Sequence, residues 1–149
     1  MIIKDAKSTH TQEISEVIKA SVLYSQQKLY PKDKIDNVIM MYQPKKIKKY
    51  LKEGKYFIAT EEDKIIGCVL VIKNEMSSLY IHPDSMRKGI GTQLSQRAEE
   101  YIKDQNYKHV WIWASLNAVD FYKSRGFKEE SSIIDKNGNT WYIGMKKNF

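Results

Sequence analysis

Apolar residues recur along this chain with two periods, and the change between them divides it. Ile2 and Ile3 suit a short opening strand. Ile14, Val17, Ile18 and Val22 are spaced three and four apart, and with Thr9 and Gln12 as a capping pair they predict a helix over about residues 10–24. Residues 24–31 lose that spacing and end in Pro31, which predicts a loop. Ile35, Val38, Ile39 and Tyr42 predict a second helix. Pro44 at a helix start, then Ile47, Tyr50 and Leu51 with Gly54 as terminator, predict a short third one.

Beyond Gly54 the pattern becomes strand-like. Residues 56–60 and 65–72 read as strands joined by the acidic turn 61–64, and 76–81 as another. From Thr92, the residues Leu94, Ala98, Tyr101 and Ile102 mark an amphipathic helix with a charged outer face. Residues 110–114 are apolar at every position, which predicts a central strand covered on both sides, with Trp111 and Trp113 in the core. A short helix over 118–125 closes at Gly126. Two strands, 127–134 and 140–146, flank a turn in which Asn137-Gly138 is a hairpin signal. No repeat, low-complexity tract or linker interrupts this order, so residues 1–149 are expected to form one α/β domain with a mixed sheet.

Composition narrows the classes. At 42% hydrophobic and 29% charged the 149 residues suit a globular fold with a real core. One cysteine, Cys68, excludes an internal disulfide and is expected to be buried and inert. His10, His82 and His109 are too scattered for a metal site. No apolar run approaches a membrane span, and no signal-peptide core follows Met1-Ile2-Ile3-Lys4-Asp5, so the expected location is cytoplasmic. The net charge of +7 fits an anionic partner, yet it is nearly all lysine spread along the chain. The densest run, Lys45-Lys46-Ile47-Lys48-Lys49, reads as the solvated face of a helix. Neither nucleic acid nor membrane is expected as a partner.

Candidate chemistry concentrates where the strand Leu79-Tyr80-Ile81 runs into His82-Pro83-Asp84 and then Met86-Arg87-Lys88-Gly89-Ile90-Gly91-Thr92. A glycine-bearing turn that opens a helix gathers free backbone N–H groups at the positive end of the helix dipole, which makes an anion site, most naturally for phosphate. It is not a P-loop, which ends Gly-Lys-Ser/Thr, nor a dinucleotide fingerprint, which wants a small residue where Leu94 stands.

The stretch resembles the acetyl-CoA-binding motif of the GCN5-related N-acetyltransferase (GNAT) family, Gln/Arg-x-x-Gly-x-Gly/Ala between a strand and a helix. A second block, Asn117-Ala118-Val119-Asp120-Phe121-Tyr122-Lys123-Ser124-Arg125-Gly126-Phe127, resembles that family's Asn-Ala-x-x-Phe-Tyr-x-x-x-Gly-Phe. One departure stands at the first motif position, where Met86 replaces Gln or Arg. Its amide remains available, and weaker or differently tuned cofactor binding is expected. The resemblance implies an α/β (α+β) GNAT fold: a mixed, mostly antiparallel twisted sheet with helices on both faces, and splayed central strands forming the acetyl-CoA cleft.

It also implies roles. Acetyl-CoA is the expected cosubstrate, its diphosphate on the amides of Arg87, Lys88, Gly89, Ile90, Gly91 and Thr92, with Met86 beside them. A backbone N–H of Leu79, Tyr80 or Ile81 faces the thioester oxygen, a contact worth about 3–4 kcal/mol. Tyr122 stands where the family has its general acid, and the alternative is that it packs with Phe121. Asn117 is a candidate contact to the pantetheine, or else a helix N-cap. A lysine-like acceptor amine, with a pKa of about 10.4, needs a base at neutral pH against a gap of about 4–5 kcal/mol. Glu75 is the candidate, with a solvated strand-end charge as the competing reading. Tyr24, Tyr30 and Tyr42 surround the first loop, to contact substrate or to pack. The expected partner is an amine-bearing small molecule or peptide, and a homodimer is left open. A non-catalytic acyl-CoA-binding or regulatory module is the alternative function.

Overall fold

The alternation that starts after Gly54 does form a sheet. In the computed structural model, which describes residues 1–149, β1 (Ile2–Asp5), β2 (Lys55–Glu61), β3 (Lys64–Ile72), β4 (Glu75–Ile81), β5 (His109–Ser115), β6 (Lys128–Ile134) and β7 (Thr140–Asn148) share one sheet. Its order is β1-β2-β3-β4-β5-β7-β6. Every neighbouring pair is antiparallel except β4 and β5, which run parallel. The helices are α1 (Thr11–Ser25), α2 (Lys32–Met41), α3 (Pro44–Glu53), α4 (Ile90–Asp104) and α5 (Val119–Ser124).

Two apolar cores lie on opposite faces of this sheet. Ile14, Val17, Ile18 and Val22 of α1, with Ile35 and Ile47 of α2 and α3, bury against Tyr56, Ile58, Cys68 and Leu70. On the other face Ile90, Leu94, Ala98 and Ile102 of α4, with Tyr122 and Phe127, bury against Phe57, Val69, Val71, Met76, Val110 and Ile112. Residues 57 and 69 face one way while 56, 58, 68 and 70 face the other, as pleating requires. The lysines around Ile47 are exposed while Ile47 itself is buried, so the basic run is indeed a solvated helix face.

A bulge breaks that alternation once on β4. Leu70 pairs with Ser78 but Val71 pairs with Met76, so Ser77 is the extra residue. The insertion puts Met76 in the α4-side core, with Leu79 and Ile81 packed against it, and Ser78 and Tyr80 on the α1–α3 side. Glu75, the neighbour of Met76, therefore shares a face with Tyr80, which unbroken alternation would deny it. Beyond the bulge β4 and β5 part company: Glu75↔Trp111 is the one pairing between them.

Two expectations are corrected. Thr9 and Gln12 form no capping box; Ser8–His10 is a 3₁₀ turn in which the Lys7 N–H donates to His10 Nδ1 at 3.0 Å, and Gln12 bonds Glu16 instead. Nor is β5 covered on both sides. Val110, Ile112 and Ala114 are buried, but Trp111 and Trp113 are only half-buried, stacked edge-to-face at 5.4 Å. Helices α1 and α3 pack over β2, β3 and β4 and stop short of β5, which leaves Trp113 at the border of an opening.

Behind the α4 core sits one buried carboxylate. Glu99 accepts from Ser95 Oγ at 2.9 Å and from Arg125 Nη2 at 2.8 Å on one oxygen, and from Lys147 Nζ at 2.5 Å on the other. It ties α4 to the residue that follows α5 and to β7. Removing one member of a buried pair leaves the others desolvated and unpaired, at a cost of about 3 kcal/mol. Glu99→Ala is accordingly expected to lower the unfolding free energy by that amount, read as a lower urea midpoint at unchanged m-value, and a loss below about 1 kcal/mol would show the cluster to be surface-like.

Candidate functional site

The turn after β4 is built to leave its amides free. The His82 N–H donates to Ile66 O at 2.8 Å, holding the strand to β3 up to that residue. Pro83–Ser85 then forms a 3₁₀ turn, with His82 Nδ1 accepting from the Asp84 N–H at 3.1 Å. His82 is thus a turn-capping residue at a strand end. Arg87 (φ +64°) and Gly89 (φ +80°) are both left-handed, and Gly89 is the N-cap of α4. The Met86 N–H donates to Pro83 O, but no protein acceptor meets any amide from Arg87 to Thr92. Six N–H groups therefore stand free where the α4 dipole is positive, among the exposed side chains of Arg87 and Lys88.

The two glycines differ. Nothing lies within 4 Å of a Cβ at Gly89, so conformation alone demands glycine there. Gly91 is helical and a Cβ there would meet Phe121 Cζ at 3.6 Å, an ordinary contact, so the protein itself does not require it. Phe121 packs α5 against the start of α4. Ile90 is buried and Ile81 packs beside it, so either would meet a ligand through its backbone.

From the turn, the β4–β5 gap leads inward. Backbone groups on a strand alternate sides. His82 N–H bonds toward β3, so Leu79 and Ile81 turn their N–H and C=O groups the other way, into the gap. On β5 the Trp111 N–H donates to Asn74 O at 3.1 Å, so residue 113 likewise points its backbone at the gap. Two unpaired strand edges thus face each other.

The gap opens into a cavity of about 450 Å³, within the range of small-molecule sites. Glu75, Leu79, Tyr80, Asn117 and Tyr122, all read from the sequence, line it together. Tyr122 is buried, its ring 5.1 Å from Phe121 and 5.4 Å from Phe127, and burial pushes its phenol well above the ordinary range. It packs and it lines the cavity, so the two readings of it coexist. Glu75 is half-buried, and desolvation raises its carboxyl above the ordinary value, with a Ser77 hydrogen bond opposing. It is not a fully solvated charge. Asn117 is no N-cap: Ala118 holds that position on α5, and Leu116–Ala118 is a 3₁₀ turn. Cys68 is fully buried, its thiol raised by desolvation to about 12, which leaves it protonated and inert.

Sequence reasoning missed most of the opposite wall. Tyr42 and Tyr80, which it did name as candidates, line it together with Tyr50, Trp113 and Tyr142, which it did not, alongside Ser21 and Gln26 of the α1 end. Tyr24 is exposed and takes no part, whereas Tyr30 Oη donates to Trp141 O at 2.6 Å and accepts from the Leu116 N–H at 2.9 Å. That one phenol pins the turn carrying Asn117 to the first loop. Tyr56 Oη and Ser78 Oγ are buried without partners, and Ser78 lies in the cavity wall.

Residues 23–149 match the model of the acetyltransferase (GNAT) domain. An uncharacterised N-acetyltransferase of Methanocaldococcus jannaschii is 34% identical over 95 residues, covering 54% of this chain and 42% of that one. The chain spans about half the length of the curated relatives it matches. A GCN5-related N-acetyltransferase of Rhodopseudomonas palustris superposes with a TM-score of 0.90 at 19% identity, over 99% of this chain and 95% of that one. The PaiA N-acetyltransferase of Thermoplasma acidophilum, solved in complex with coenzyme A, gives 0.84 at 23% identity over the whole of both chains.

The buried phenols leave a measurable signature. Tyr42, Tyr56 and Tyr122 all hold their protons above the ordinary phenol value near 10. The unfolded chain releases them first as pH rises, so stability is level below about pH 10 and falls above it, by about 1.4 kcal/mol per pH unit for each phenol. Denaturant unfolding between pH 9 and 11.5, alongside 295 nm absorbance of the native protein, checks this. Full phenolate absorbance at pH 11 without unfolding would contradict it.

Proposed function

The chain belongs to the GNAT acetyltransferase family, and on that premise we propose that it transfers an acetyl group from acetyl-CoA to a primary amine by direct attack in a ternary complex. One observation carries the proposal: the free amides of the turn, the unpaired edges of β4 and β5, and a cavity holding both Glu75 and Tyr122 form a continuous path.

The residues present fit coenzyme A. Its diphosphate matches the amides from Arg87 to Thr92 with the flanking Arg87 and Lys88, and its amide-bearing pantetheine arm matches the unpaired strand edges. Met86 leaves the backbone of this cradle intact and removes only a polar side chain. Bound acetyl-CoA supplies the activated acyl group: the amine nitrogen attacks its thioester carbon, the C–N bond forms, the C–S bond breaks, and an amide and the coenzyme A thiol are the products.

The chain's own groups do the rest. The Leu79 N–H, turned into the gap just past the bulge, is the donor for charge developing on the carbonyl oxygen, an effect of about 3–4 kcal/mol. Glu75 takes the proton that the amine must lose, directly or through one water, and its raised carboxyl is a stronger base than an ordinary glutamate. Tyr122 keeps its proton at neutral pH and is the donor to the departing sulfur. Asn117 lies beside the arm as a polar contact.

The test is the pH dependence of kcat for the wild type and two variants, at saturating acetyl-CoA and amine. The basic form of Glu75 is the active one, so kcat is expected to rise with pH along a limb lying above the ordinary carboxyl value of 4.5. Glu75→Gln should flatten that limb and lower kcat by about 100-fold. Tyr122→Phe should lower kcat by a similar order while leaving KM for acetyl-CoA nearly unchanged. An intact limb in the first variant and an unchanged kcat in the second would remove both roles.

A further inference from the structure

The acceptor end of the cavity has a chemistry unlike the rest of the molecule. The chain carries 25 lysines and arginines and a net charge of +7, yet none of those basic residues lines the cavity. Among its lining side chains Glu75 holds the one carboxylate, and the five tyrosines there are neutral at physiological pH. A single negative charge therefore sits in an otherwise uncharged pocket within a basic protein.

Aromatic faces make up the wall around that charge. Tyr42 meets Tyr50 edge-on at 5.9 Å and Tyr80 at 5.7 Å, and Trp113 of β5 and Tyr142 of β7 line the same cavity. Rings of this kind attract a cation on their faces and also take up flat apolar groups. Outside, Lys45, Lys46, Lys48 and Lys49 are exposed on α3, the helix that also supplies Tyr50. A second or third positive charge on an acceptor would find no further carboxylate in the pocket to answer it.

We infer that the acceptor is a small monoamine: one ammonium group on a short linker to an aromatic or similarly flat apolar body. The ammonium pairs with Glu75 and the body lies against the wall that Tyr42, Tyr80 and Trp113 line. Polyamines and aminoglycosides carry charges that the pocket cannot match. A lysine side chain offers only a narrow methylene stem, which leaves the ring faces uncovered. This inference rests on the reading of the cavity as the acceptor site.

Calorimetric titration of the full chain tests it without turnover, in 0.15 M salt and in the presence of coenzyme A. The probes are 2-phenylethylamine, 2-phenylethanol, spermidine and an N-terminally blocked lysine tetrapeptide. 2-Phenylethylamine is expected to bind at least tenfold more tightly than each of the other three. Glu75→Gln should bring its affinity to that of the alcohol. Equal or tighter binding of spermidine or the peptide, or no binding of the amine, overturns the inference. Acetyl-CoA is titrated separately on the same protein. Its failure to bind would sink the proposed transfer, whereas normal acetyl-CoA binding with thiol released faster by spermidine would sink the specificity alone.

Discussion

Everything functional in this fold depends on two parallel strands that refuse to stay paired. β4 and β5 meet at Glu75↔Trp111 and then separate, in the middle of a sheet that is otherwise continuous. Backbone N–H and C=O groups left open inside a protein carry a desolvation cost unless something bonds them. The sheet therefore advertises a slot for an extended ligand with amide groups of its own. The Ser77 bulge makes the slot and also turns Glu75 toward the α1–α3 side. One inserted residue thus sets both the open edge of β4 and the face on which Glu75 stands.

The two ends of that slot are electrostatic opposites. At one end six unbonded amides, a helix dipole and two exposed cations make a site for a diphosphate. At the other a single half-buried carboxylate stands among neutral rings. On the proposed reading, an anionic donor and a cationic acceptor would be sorted to their own sides before any contact between reacting atoms. The Glu99 cluster ties α4, which opens at the first end, to Arg125 just after the helix that carries Tyr122.

The parts of this that were legible in the sequence are those decided locally. Helical spacing found α1, α2 and α3, and Asn137-Gly138 marked the last hairpin, where Gly138 is left-handed. Gly89 marked the cradle for a reason that needs no partner, its φ of +80°. What stayed hidden depends on residues far apart. The family resemblance implies a bulge near this strand, but its place at Ser77 exists only in the register of β4 against β3, so alternation alone assigns Glu75 to the wrong face. The half-exposure of Trp111 and Trp113 follows from where α1 and α3 stop, which an apolar run cannot tell. The aromatic wall draws Tyr42, Tyr50, Tyr80 and Tyr142 from four separate elements, and Glu99 gives no hint of its two cations in a charged helix face.

The central claim is that acetyl-CoA completes the broken sheet, and amide hydrogen exchange on the full chain with and without acetyl-CoA tests it most directly. The account predicts strong slowing at Leu79, Ile81 and the amides from Arg87 to Thr92, with β1 and β6 at the far edges unaffected. Exchange at those positions that is the same with saturating acetyl-CoA, or protection confined to another face of the protein, would contradict it.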